Sequence, residues 1–146
     1  MNVRDVAAYI LSKTQPLPAM KLQKLVYYCQ AWSLVWDDRP MFPERIEAWA
    51  NGPVCTSLYS AHHRQYEVHL EDMQKAGGRP DRLDEAAKET VDSVVEFYGK
   101  QSSQWLSDLT HREDPWVIAR GDTPAGESSN AVISHASMAD YYSSLA

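Results

Sequence analysis

The stretch Met20–Trp36, MKLQKLVYYCQAWSLVW, constrains this chain more than any other part of it. Twelve of its seventeen residues are apolar or aromatic, and no glycine or proline interrupts them. At the helical spacing of about 100° per residue, Leu22, Leu25, Val26, Cys29, Trp32 and Trp36 share one face. Tyr27, Tyr28, Ala31, Leu34 and Val35 spread over much of the remainder. A helix that is apolar nearly all round lies either in a protein core or in a bilayer. Lys21, Gln23, Lys24 and Gln30 break the run well short of the roughly 20 apolar residues a span needs. The sequence therefore predicts a buried central helix with the rest of the chain wrapped around it.

A length of 146 residues suits one domain, 1–146, long enough to bury a core without staples. The net charge of −6 argues against a broad phosphate-binding surface, because non-specific nucleic-acid affinity comes from clustered Lys and Arg. Met1–Thr14 is mixed polar and lacks the apolar core of an export signal, so a cytoplasmic location is expected. Cys29 and Cys55 have no metal-knuckle spacing and read as free buried thiols.

Around the central helix the pattern predicts a mainly α fold with a minor β element. Val3, Val6, Ala7, Ile10 and Leu11 give a first helix over about 3–12, capped by Asn2. Pro16 and Pro18 break the chain before the central helix restarts. Ile46, Ala48 and Ala50 alternate with Glu47 and Trp49, the period of a short strand over 45–50. Asn51-Gly52-Pro53 reads as a turn, with Pro53 opening the next helix. Residues 73–81 read as a solvated loop. A helix from Leu83, capped by Asp81 or Asp84, runs to a C-cap at Gly99. Further apolar patches follow after Ser102-Ser103 and at Pro115–Ile118. The tract 121–130 is loop in composition, Val132 and Ile133 are extended, and Met138, Tyr141, Tyr142 and Leu145 form a last short helix.

No motif for chemistry survives inspection. Cys55 near a helix start is the best nucleophile candidate. Its same-face histidine, His62, is two turns away, about 10.5 Å at 1.5 Å per residue and beyond hydrogen-bond reach. His62 and His63 diverge by about 100° on a helix and cannot chelate together, and no His pair or Cys-x-x-Cys has metal spacing. Gly121–Ser128 has the glycine spacing of a phosphate loop, but Glu127 stands where lysine is required. Catalytic, cofactor and metal residues are all expected to be none. Lys21 and Lys24 on the buried helix must snorkel outward or pair with acids, or else meet a partner's acid or phosphate.

Three motifs in order carry a resemblance. Lys21-Leu22-Gln23-Lys24 with Tyr27-Tyr28 and Ala31-Trp32 comes first. Ala48-Trp49 with Gly52-Pro53-Val54 and Leu58-Tyr59 follows, and Leu109-Thr110-His111 with Pro115-Trp116 closes the set. Together they resemble the signature of the Panacea domain family, the SocA-like antitoxin and phage-associated group, over about residues 3–120. Asn51 and Cys55 stand where the family often carries other residues, and the last 26 residues match more loosely.

The resemblance implies a cytosolic antitoxin, not an enzyme, that binds and blocks a toxin encoded beside it. One branch of the family is similar to proteolytic adaptors that hand the toxin to an ATP-dependent protease. It transfers no catalytic residues, and Gly52, Trp49, Trp105 and Trp116 have plain structural explanations, Gly52 as a tight turn and the three tryptophans as core volume. The residues expected to be freest for a protein partner are Tyr59, Arg64 and Tyr66, with the C-terminal stripe Met138, Tyr141, Tyr142 and Leu145. The competing classes are a small hydrolase using Cys55 or His111, a metalloprotein, and an autoregulatory nucleic-acid-binding protein. Against the last stand the negative charge and the lack of a helix-turn-helix pair. No membrane partner is expected.

Overall fold

In the computed structural model, which describes residues 1–146, seven α-helices and two small antiparallel strand pairs surround an eighth, central helix. Helix α1 (Val3–Lys13) starts at Asn2, whose side chain accepts from Arg4 N and Asp5 N while Asp5 returns a bond to Asn2 N, closing a capping box. Strand β1 (Leu17–Pro18) then leads into α2 (Ala19–Trp36), the central helix expected over 20–36. Every residue from Leu22 to Ser33 of α2 is buried, and its neighbours come from α1 and from nearly every later part of the chain. One hydrophobic cluster includes residues from all eight helices.

Strands β2 (Ile46–Trp49) and β3 (Gly52–Cys55) form a hairpin with Trp49 opposite Gly52 and Ala48 opposite Pro53. Pro53 therefore lies inside a strand, and helix α3 (Thr56–His62) begins three residues later than the sequence suggested. The cause is long-range. Gln23 of α2 accepts from Cys55 N at 2.9 Å and donates to Cys55 O at 3.2 Å, so its amide mimics a neighbouring strand and holds the backbone extended to Cys55. Gly52, at φ +119°, makes the reversal that a side-chain-bearing residue would resist.

Strand β4 (Glu67–Val68) pairs with β1, and α4 (Leu70–Lys75) follows. The loop expected over 73–81 is thus partly helix, and it is not solvated throughout. Asp72 accepts from His69 N in a capping box. Met73 is buried, Arg79 N donates to Asp5 of α1, and Gly78 is packed against the Arg4 carbonyl too closely for a β-carbon. A 3-10 turn (Pro80–Arg82) leads into α5 (Glu85–Tyr98), which Asp84 caps and Gly99 ends. Helices α6 (Ser103–His111), α7 (Asp114–Arg120) and α8 (His135–Leu145) complete the fold, and Val132 bridges to Glu47 beside the hairpin. No helix is long and apolar enough to cross a membrane.

Candidate functional site

The signature residues converge on the hairpin. Four consecutive hairpin carbonyls are each taken by one side chain from α6 or α7. Arg120 Nη1 donates to Ala48 O at 2.9 Å, and Trp116 Nε1 to Trp49 O at 2.8 Å. His111 Nε2 reaches Ala50 O at 2.8 Å, and Ser107 Oγ donates to Asn51 O at 2.7 Å. These bonds close a tight turn whose carbonyls would otherwise need water. Pro115 at the first turn of α7 starts the helix that carries Trp116 and Arg120. Leu58 and Leu22 fill the core beneath, and Leu109 packs against it.

On the other side of the hairpin lies Lys24. It is 1% exposed, and its Nζ has no hydrogen-bond partner. It neither snorkels nor pairs with an acid, contrary to both expectations. Burial pushes its pKa down to about 8. A β-carbon on Gly52 would lie 2.5 Å from Lys24 Cε and 3.0 Å from Thr110 Oγ1, so the glycine serves close approach as well as the turn. Lys21 behaves conventionally, donating to Gly99 O at 2.7 Å at the end of α5.

Cys55 is not an armed nucleophile. Burial pushes its thiol pKa up, which outweighs the backbone N–H groups of Ser57 and Leu58 that act the other way. His62 is committed elsewhere, since Gln23 Nε2 also donates to His62 Nε2 at 2.9 Å. With that nitrogen accepting, the ring is neutral, and burial lowers its pKa in the same direction. No group of three or more His, Cys, Asp or Glu residues is placed to hold a metal ion.

The residues expected to face a partner divide. Arg64 and Tyr66 are exposed beyond α3, with Tyr59 half-buried against Trp49 at 5.0 Å between ring centroids. The C-terminal stripe turns inward instead: Met138 and Tyr142 are core residues, Tyr141 is half-buried, and Leu145 is exposed. The apolar spacing of α8 was legible, but its periodicity does not say which face meets the core.

A groove of about 920 Å³ that the sequence pattern does not announce lies between α5, α6 and the C-terminal ends of α2 and α8. Its walls include Trp32, Trp36, Phe97, Tyr98, Trp105 and Leu145. Phe97 is 69% exposed and Trp36 49%, large apolar surfaces left open to solvent together. One signal was available: Phe97 falls off the Ala87–Val91–Val94–Tyr98 stripe and next to Glu96, on the polar side of α5. Trp36, by contrast, shares the helical face of core residues and overhangs only because α2 ends there.

A carboxylate, Glu113, forms part of the groove lining although it is only 4% exposed. Its Oε1 accepts from Tyr28 OH at 2.6 Å and Tyr142 OH at 2.8 Å. Tyr27 OH lies 3.0 Å from Tyr142 OH, and Tyr28 stacks on Tyr98 at 4.0 Å. Burial raises the Glu113 pKa, and the two hydroxyl bonds oppose that shift.

Comparison with known proteins places this geometry in a family. The sequence model described as antitoxin SocA-like, Panacea domain, matches residues 22–117, from the central helix through Trp116. The chain belongs to the SocA-like antitoxin family. It is also 29% identical over 137 residues to a protein named Antitoxin SocA from Caulobacter vibrioides (strain NA1000 / CB15N), across 83% of this chain and 72% of that protein. No solved structure matches it. The Panacea match thus takes in the α2 face, the hairpin and the α6–α7 clamp up to Trp116, with Arg120 beyond it. Their internal bonds account for much of the signature as architecture, Lys24 excepted, while the groove borders it through Trp32, Leu109 and Glu113.

Proposed function

We propose that this protein is the antitoxin of a toxin–antitoxin pair and neutralises a toxin encoded beside it by direct, stoichiometric binding in the cytoplasm. Family membership supports the antitoxin role. The observation that carries direct binding is the open aromatic groove, since contiguous exposed apolar surface on a small soluble fold marks an interaction site. The protein acts through this surface and not through chemistry of its own. A stable specific interface buries about 1,600 Å² in total, with a few aromatic anchors supplying most of the energy. Trp36, Phe97 and Trp105 are such anchors, and the Tyr59–Arg64–Tyr66 corner is a second contact region. Delivery of the toxin to an ATP-dependent protease would build on the same complex.

The test is growth of cells expressing the neighbouring gene alone or with this gene. The neighbour should arrest growth alone, and co-expression should restore it. A harmless neighbour would overturn the antitoxin reading. If a folded Trp36→Ser, Phe97→Ser double variant protected as well as the natural protein, binding through the groove would be wrong.

A further inference from the structure

We infer that the groove is a receptor for one cationic side chain, an arginine presented among apolar residues by the toxin, with Glu113 as its counter-ion. This deepens the antitoxin reading and rests on it for the identity of the partner.

Tyr142 OH and Tyr28 OH both donate to Glu113 Oε1, so the Tyr27 hydroxyl is left to donate to the Tyr142 oxygen. Three buried hydroxyls are thereby aligned toward one carboxylate oxygen, which opposes the burial that raises the Glu113 pKa and leaves a cation as the partner that would hold it charged. Oε2 receives no hydrogen bond from the protein, and no Lys, Arg or His nitrogen lies within 4.0 Å of either oxygen. A carboxylate this buried normally has a cation, because an uncompensated buried charge is costly. Glu113 lines the groove, where a cation could reach it.

The walls fit the same ligand. Trp36, Trp105 and Phe97 present aromatic surface, and a cation over such faces gains further attraction, most when desolvated. Guanidinium suits the site better than ammonium, because it is planar, weakly hydrated, stacks on rings and forks onto a carboxylate. Glu96 on the same rim and the net charge of −6 add complementarity to a basic partner, with Lys100 the one opposing charge in the lining.

The test is made on the full chain with two probes. First, indole N–H resonances are followed by NMR during titration with N-acetyl-arginine amide and with N-acetyl-citrulline amide, which keeps the shape and loses the charge. The inference requires Trp36 and Trp105 to shift with the arginine compound at least tenfold more tightly than with the citrulline compound, and Glu113→Gln to abolish the difference. The glutamine still accepts from both tyrosines, so the fold is retained. Equal response to both compounds, or none, overturns the inference. So does a groove signal that changes with protein concentration alone, which would make a second copy the occupant.

Second, affinity for the adjacent gene's product is measured for the natural protein, Glu113→Gln and Phe97→Ser. Each variant should bind at least about tenfold more weakly, the loss expected when an interface charge pair or an anchor is removed. If all three bind alike, the groove inference falls and the antitoxin reading stands. If Phe97→Ser alone loses binding, the groove docks the toxin but not through a cation, and the inference is overturned. If the natural protein does not bind, the antitoxin reading falls while the arginine titration still judges the groove.

Discussion

Replacing Lys24 by Met should make the protein more stable, by an amount that depends on pH. Lys24 is buried without a partner, and its pKa falls from the ordinary 10.5 to about 8. A base whose pKa drops on folding binds fewer protons in the folded state. Stability therefore rises with pH through the window from about 8 to 10.5, and the cost is fully present below it. A drop from 10.5 to about 8 corresponds to a cost on the order of 3 kcal/mol at pH 7. Methionine keeps most of the volume and carries no charge, so the variant recovers that amount. At about 2–4 °C per kcal/mol for a chain of this size, Tm should rise by roughly 6–12 °C. The two buried thiols and the buried tyrosines have raised pKa values and lower stability in alkali, but equally in both proteins, so they cancel in the difference. Urea unfolding followed by tryptophan fluorescence should show a gap of about 3 kcal/mol at pH 7, shrinking to about 1.5 kcal/mol at pH 9.5. A gap that ignores pH, or a Lys24→Met protein less stable than the natural one, would refute the reasoning.

The remaining expectations concern the hairpin, the core and the thiol. Gly52→Ala should destabilise by roughly 1–3 kcal/mol, through its φ of +119° and the approach to Lys24 Cε, and an unchanged melting temperature would sink that account. Trp32→Ala should cost roughly 3–5 kcal/mol, because Trp32 packs between Trp36 and Tyr142 and bonds Tyr98 OH, as a melt will show. Arg120→Met should free the 121–130 loop, since Arg120 Nη2 holds both Pro124 O and Glu127 O; limited proteolysis should then cut within that loop and not elsewhere. Cys55→Ser should protect cells as well as the natural protein, and a folded variant that fails to protect would restore the hydrolase reading.

The sequence announced what depends on local pattern. The central helix, the Asn2 and Asp84 caps and the Ile46–Trp49 strand lie where periodicity and capping chemistry put them. What it concealed depends on partners distant along the chain. Pro53 stays extended because Gln23 holds Cys55, 32 positions away, and Met73 is buried because α4 packs on α1. The sequence marks Lys24 as a buried charge in need of a partner, and only the packing shows that it has none. The groove was hidden for a similar reason. Trp36 reads as a core aromatic by helical spacing and Trp105 by its bulk, and it takes the tertiary arrangement to show that both stand partly open to solvent. Glu113 carried no signal at all, because its role comes from three tyrosines on α2 and α8.

The measurement that bears most directly on the antitoxin reading is the mass of the complex in solution. This protein and the product of its neighbouring gene, co-purified through a tag on the neighbour, are passed over a size-exclusion column with light-scattering detection. Direct neutralisation predicts a single peak with both chains in a fixed whole-number ratio, and separate peaks when Phe97→Ser and Trp36→Ser are combined. A neighbour that is toxic and suppressed in the same cells, yet elutes free of this protein at micromolar concentration, would contradict it.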